Sequence, residues 1–259
     1  NFKIKRFAEQ SALMIVDKTT DKLSLFELEY NSENVSMFPS IVMTIYMTVL
    51  TLIITTPLGI GCAIYLTEYA KRGNKVVEVI RLAAETLSGI PSIVYGLFGM
   101  LFFVTALQWK NSILAGSCTL AIMVLPLIIR STEEALKSVP DSYREASFGL
   151  GAGKLRTVVR VVLPPAMPGI VAGVILAVGR IVGESAALLF TAGAAEVIAG
   201  SIAKAYTSNG ATLSVLLYLR AFEDGDFASA WGIGAVLLVL VLLIDLAARL
   251  AKTKLKQKQ

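Results

Sequence analysis

Five stretches of this chain carry almost no charge, and their length decides what the chain can become. Phe38–Leu66, Thr86–Leu107, Asn111–Ile129 and Phe227–Ile244 contain no Asp, Glu, Lys or Arg, and Val161–Leu189 is broken only by Arg180 and Glu184. About 20 apolar residues at roughly 1.5 Å each cross the hydrocarbon layer of a bilayer, and every run reaches or nearly reaches that length. The runs are continuous, whereas a membrane barrel would alternate with period two. Five of them in one chain exclude a soluble protein with an unusually apolar core helix. The expectation is an all-α integral membrane protein, five spans visible, occupying residues 38–250. A composition of 55% hydrophobic and 17% charged residues fits no ordinary soluble domain.

The net charge of +5 is unevenly placed. Lys71, Arg72, Lys75 and Arg81 follow the first run; Arg130, Lys137, Arg144, Lys154, Arg156 and Arg160 follow the third; Arg249 follows the last, and then Lys252, Lys254, Lys256 and Lys258 in a tail that occupies 251–259. The alternate connections hold only Lys110, and Lys204 with Arg220. Basic connections stay in the cytoplasm, so the C-terminus is expected there. The positive charge therefore needs no nucleic acid to explain it. One feature conflicts: five spans then put the N-terminus outside, yet Lys3, Lys5, Arg6, Lys18 and Lys22 precede the first run. The apolar run Ala12–Val16 is too short to cross. Either residues 1–37 are an external tail, or an initial span is missing from the chain as given. No signal peptide is visible, and Asn34-Val35-Ser36 is a bare glycosylation sequon.

No histidine occurs, which removes the usual general base and imidazole metal ligands. Cys62 and Cys118 lie inside apolar runs, where packing is their expected role. No catalytic or metal-binding residue is assigned, and the chain is not read as an enzyme. Pro57 and Pro126 are expected to kink their helices, and Leu213–Phe222 reads as an amphipathic helix outside the membrane.

The segment REASFGLGAGKLRTVVRVVLPPAMPG interrupts this apolar chain. A P-loop would need Ser or Thr after Gly153-Lys154 and Gly at 148; Leu155 and Phe148 stand there, so a phosphate cradle is rejected. Ser131–Ser147 instead reads as a helix, with Ala135, Leu136, Val139 and Tyr143 at helical spacing. Glycines then turn the chain, and a second short amphipathic piece, Lys154–Leu163, is expected to stop at Pro164, Pro165 and Pro168. The product is a knob, about 131–167, of a length that is more often functional than a mere connection.

That segment resembles the cytoplasmic motif of ABC importer permeases, which reads Glu-Ala-Ala, three residues, Gly, nine residues, then Ile-x-Leu-Pro. Here Glu145-Ala146-Ser147 begins it, Gly151 takes the glycine, and Val161-Val162-Leu163-Pro164 closes it, with Ser147 and Val161 as the departures. SGIPSIVYGLFGMLFF, RSTEEALKSVPDSYREAS and GRIVGESAALLFTAG resemble the phosphate-specific permeases of the PstA type, from about Ser24 onward. The resemblance implies a type I importer bundle, a family that usually has six spans, and a permease subunit for inorganic phosphate. It implies that Glu145, Ala146, Gly151, Leu163 and Pro164 belong to a coupling element seated on an ATPase subunit. It implies as partners a second, PstC-like permease, two ATPase subunits carrying ATP and Mg, and an extracytoplasmic phosphate-binding protein, in a bacterial or archaeal cell membrane. No cofactor is expected on this chain itself. Competing readings are a permease for another oxyanion or small solute, a channel, or a membrane scaffold.

Arg180 and Glu184 stand four residues apart within the fourth run. Ionisable residues at that depth cost about 2.5–3.5 kcal/mol on insertion scales. Either they neutralise one another and lock helices together, or Arg180 faces a watery path where a guanidinium fork suits an oxyanion. The resemblance favours the path and adds Arg130, whose alternative is snorkelling at the membrane surface. Gly169-x-x-x-Gly173 and Gly179-x-x-x-Gly183 lie on the same helix; spaced so, they suit close packing against a partner permease.

Overall fold

The computed structural model describes residues 3–6, 13–16, 23–26, 37–71, 73–195 and 207–257. The sequon at Asn34 and the basic residues Lys18, Lys22, Arg72, Lys204 and Lys258 lie outside them. The chain divides into two units, Asn1–Ser36 and Met37–Gln259. In the first, β1 (Lys3–Arg6), β2 (Leu13–Val16) and β3 (Leu23–Phe26) form an antiparallel sheet in that order. Ile15 stands opposite Ile4 on one side and Ser24 on the other. The apolar run that is too short to cross a membrane is thus the sheet's central strand, and the helical expectation belongs to the second unit.

Among the described residues of the second unit four helices are long and apolar enough to cross a membrane: Phe38–Tyr69, Ile113–Lys137, Lys154–Val182 and Phe227–Leu246. The first comprises α1 (Phe38–Ile64) and a π-helical turn, Tyr65–Tyr69. The run expected to be the second span is not straight. Helix α2 (Lys75–Ser88) and α3 (Ser92–Gly99, extended by a π segment, Met100–Ala106) meet at 104°. Between them stand Gly89, Ile90 and Pro91; proline disfavours helical backbone in the residue before it, so α2 cannot run on into α3.

Helix α4 (Ile113–Lys137) is the centre of the bundle. Its N-terminus is capped by Ser112, whose hydroxyl oxygen accepts the Ala115 N–H at 3.2 Å. Against it α1 lays a buried stripe of small and polar residues, Ser40, Thr44, Thr48, Thr51, Thr55, Gly59 and Ala63. Lipid tails are as apolar as leucine, so helices in a bilayer gain little by burying leucine and associate where small side chains allow close approach. Thr44, Thr48 and Thr55 satisfy their hydroxyls by donating to the carbonyl one turn back, at 2.6–2.7 Å. Thr51 donates across the seam to the Ser117 carbonyl at 3.4 Å. A Cβ at Gly59 would sit 2.6 Å from an Ile128 methyl, so glycine is what lets α1 and α4 meet there.

The expected helix Ser131–Ser147 is divided: α4 ends at Lys137 and α5 (Asp141–Gly149) begins after Pro140. The prolines do not stop the next segment either. Helix α6 (Lys154–Thr157), a π turn (Val158–Val162) and α7 (Leu163–Val182) run on as one helix of 29 residues. In the π turn the Leu163 N–H bonds the Val158 carbonyl, five residues back. Pro164 and Pro165 follow directly, in a first turn whose N–H groups have least to bond, so the wider turn absorbs them.

A break at residues 183–185 leads to α8 (Ala186–Thr191). Helix α9 (Leu213–Tyr218, with a π turn Leu219–Glu223) is two-faced: Phe222 is exposed while Leu213, Val215 and Leu216 are wholly buried. They pack with Ile233, Met37, Ile41 and the main core, and the Leu213 N–H donates to Thr44 Oγ1 at 2.9 Å. The last helix, α10 (Phe227–Gln257), continues through most of the basic tail that was expected to be separate. Helices α1 and α4 run on past Pro57 and Pro126, and Cys62 and Cys118 are half-buried free thiols.

Candidate functional site: a charged cavity beside a broken helix

Helix α7 lies antiparallel on α4, with Gly169 against Ala135 and Gly173 against Ser131. Continuing that alignment puts Arg180 level with about Val124, halfway along the 25 residues of α4. There α7 stops. The Gly183 N–H returns to the Gly179 carbonyl, and Glu184 falls in the break. Arg180 and Glu184 therefore do not share a helix face, and they form no ion pair. Glu184 instead caps α8: its Oε1 accepts the Ala187 N–H at 3.2 Å, and its carbonyl accepts the Ser214 hydroxyl at 2.7 Å. The self-neutralising pair that the spacing allows is replaced by a cap.

Arg180 lines a cavity of about 440 Å³ that extends along α4 from Met123 to Lys137, with Ser88 at the α2–α3 bend on its wall. Arg130 lines the same cavity, so the two arginines that the sequence singled out face one space. Arg130 reaches Glu134 at 3.8 Å, both side chains being exposed. Nearer the end of α4, buried Glu133 accepts from Lys137 at 3.0 Å and from Arg81 at 3.4 Å. The lining thus sets Arg81, Arg130, Lys137 and Arg180 against Glu85, Glu133 and Glu134. Cations exceed carboxylates by one, and among the described residues Arg180 is in no ion pair. Sequence reading missed Arg81, Glu133 and Lys137. The Glu133–Lys137 spacing was visible as an i,i+4 pair, but nothing in the pattern showed that α2 folds back to bring Arg81 beside them.

The knob has a different character. Glu145 and Ala146 are exposed on α5, and Leu150 and Leu155 beyond it are 89% and 69% exposed. Gly151 adopts φ +78°, where a side chain would strain the turn. Ser147, the departure from the family motif, is buried and shares a 2.8 Å hydrogen bond with the Thr157 hydroxyl, closing the knob on itself. Leu163 packs on the core around Leu136 and Val162, while Pro164 is exposed. Arg144 ties the knob to the bundle. Its guanidinium donates to Glu68 at 2.7 Å, to the Leu136 and Val139 carbonyls at 2.9 and 2.8 Å, and to Asp141 at 3.1 Å. The bond it gives to Glu68 pushes the guanidinium's pKa further up, against the effect of burial.

The two glycine pairs part company. Gly169 and Gly173 are used within the chain, where a Cβ would overlap Ala135 and Ser131. Among the described residues nothing lies within 4 Å of a Cβ at Gly179, and Gly183 is the cap of α7.

The profile of the family described as "Binding-protein-dependent transport system inner membrane component" matches residues 55–257. A "Probable ABC transporter permease protein YqgI" of Bacillus subtilis is 47% identical over 148 residues, covering 57% of this chain and 50% of that one. A "Phosphate transport system permease protein PstA 1" of Mycobacterium tuberculosis is 37% identical over 202 residues, 77% of this chain and 65% of that one. The chain thus spans about half to two thirds of the length of these curated relatives. A PstA of Yersinia pestis is 37% identical over 79% of this chain and 68% of its own. Among solved structures, the inward-facing MetNI methionine ABC transporter superposes with a TM-score of 0.65 at 21% identity, over 85% of this chain and 94% of that one. A bacterial ABC transporter that imports the acidic polysaccharide alginate gives 0.63 at 14%, over 87% and 81%. Likeness at those identities establishes the helical fold.

Proposed function

Since this chain belongs to the family of binding-protein-dependent transport system inner membrane components, and to its PstA type, we propose that it is the permease subunit of an ATP-driven importer of inorganic phosphate. The observation that carries the reading is the cavity that holds Arg130 and Arg180 together at mid-bundle, with Arg180 in no ion pair among the described residues. A guanidinium in a bilayer is costly unless it faces water or a partner, and its planar fork matches a tetrahedral oxyanion better than an ammonium does. Phosphate released from a binding protein would meet Arg180 first and Arg130 about two turns of α4 further on. The net positive lining makes the anion's transit favourable, while Glu133 and Glu134 keep it from being held.

The relatives named PstA support phosphate as the substrate. The knob would seat on an ATPase subunit through its exposed leucines; ATP binding would pull it, and Arg144 would pass the movement to α1 and α4. A second permease, two ATPase subunits and a phosphate-binding protein complete the assembly. The basic face and C-terminus would lie in the cytoplasm of a bacterial or archaeal cell. The bond-breaking step belongs to the ATPase; this chain supplies the path.

The test is ATP-dependent uptake of labelled phosphate into proteoliposomes holding the assembled complex, with sulfate as control, for wild type and Arg180→Ala. At least about a tenfold loss in an intact complex is expected, the equivalent of one charge-assisted hydrogen bond at the anion. Unaltered uptake would remove Arg180 from the path, and absent wild-type uptake of phosphate would overturn the substrate.

A further inference from the structure

Deepening the reading of this cavity as an anion path, and resting on it, we propose that Arg81, Glu133 and Lys137 form a second oxyanion station nearer the knob, with Glu133 as its fixed, buried counter-charge. The cluster is built from two elements that the bend at residues 89–91 brings together, α2 and the end of α4, and all three side chains line the cavity. Lys137 lies seven residues beyond Arg130, about 10 Å further along the helix. An anion leaving Arg130 thus meets a new pair of cations about one such step away.

Burial is divided in a telling way. The Glu133 side chain is 9% exposed, while those of Arg81 and Lys137 are 47% and 53% exposed. One enclosed carboxylate is therefore shared by two half-open cations, leaving a net positive charge turned toward the cavity. The donors are largely unspent. Lys137 uses one N–H on Glu133, and Arg81 gives bonds at 3.4 Å to Glu133 and 3.5 Å to the Leu66 carbonyl, both at the long limit. An oxyanion can take the remaining N–H groups without stripping Glu133 of its partners, which a buried carboxylate would not tolerate. Glu133 in turn weakens the cations' hold and lets the anion go. Glu184, the carboxylate that the sequence sets nearest Arg180, is instead committed to capping α8.

A clip that merely fastens α2 to α4 would show the same contacts, so the test reads anion affinity. The assembled complex is placed in vesicles loaded with ATP, and ATP-dependent phosphate uptake is measured against rising unlabelled phosphate on the knob side, with chloride balancing ionic strength. The quantity read is the knob-side phosphate concentration that halves uptake. Glu133→Gln removes the counter-charge and should lower that concentration about tenfold, while Lys137→Gln should raise it by a similar factor, one charge-assisted hydrogen bond being at stake in each. A half-inhibiting concentration unmoved in both variants, with uptake or assembly merely reduced, would overturn the station and leave a structural clip. Where Glu133→Gln fails to assemble, Lys137→Gln decides alone, since the amide that replaces the half-open ammonium can still donate to Glu133, to which Arg81 also stays bonded. Wild-type complex that takes up no phosphate would overturn the proposed function itself, and the station with it.

Discussion

Single atoms set the spacing of the central helices. At Gly173 an added Cβ would fall on Ser131, and at Gly169 on Ala135, so α7 can approach α4 only while both positions lack a side chain. Gly173→Ala should destabilise the chain by about 1–3 kcal/mol, as overpacking does elsewhere. Thermal unfolding in detergent would show it, and Ser131→Gly, which empties the opposing space, should recover most of the loss. A Gly173→Ala chain as stable as wild type would mean that the helices slide apart freely. Gly179 offers the contrast: a side chain there would meet nothing among the described residues. The sequence marked all four glycines as one packing surface toward a partner, since spacing along a helix says that small residues share a face without saying which neighbour fills it.

Among the elements, apolar length was legible and straightness was not. The five runs told where chain enters the membrane unit, but hydropathy is blind to the 104° bend at residues 89–91 and to the break after Val182. Both interruptions follow from short local signals, Pro91 in one case and Gly183 with a capping glutamate in the other, that also occur harmlessly in membrane helices. The prolines after Leu163 misled in the opposite sense, because a π turn absorbs them. The knob's motif was readable as spacing, whereas its anchor was not: Glu68 and Arg144 are 76 residues apart in sequence and meet at 2.7 Å. Arg144→Ala would leave Glu68 buried without its cation, a loss of about 3–5 kcal/mol in the knob's attachment. Trypsin should then cut at Arg156 and Arg160 faster than in wild type while the spans stay intact. Glu68→Gln, which leaves Arg144 its two carbonyls, should have a smaller effect. Equal cleavage in all three proteins would show that the knob is held by its apolar contacts alone.

At the scale of the whole bundle, the question is which helices move together. Small residues line the α1–α4 seam and the α4–α7 seam alike, and close-packed contacts of that kind have no slack for sliding. The charges are distributed otherwise: Arg81 on α2, Arg130, Glu133 and Lys137 on α4, and Arg180 on α7 face open space rather than a seam. A rigid unit of α1, α4 and α7, carrying the path on one side and the knob on the other, is the mechanical consequence, and alternating access would then come from moving this unit against a second permease. A cross-link within the unit should therefore be harmless. With Cys62 and Cys118 replaced by alanine, Ala135→Cys and Gly169→Cys place two thiols at a contact that must open by about 1 Å to reach disulfide spacing. Oxidation should leave ATP-dependent uptake within about twofold of the reduced complex, since a bond inside a body that moves as one adds no barrier to its motion. Uptake that stops on oxidation and returns on reduction would show instead that α4 and α7 part during the cycle, and that the path opens along their seam.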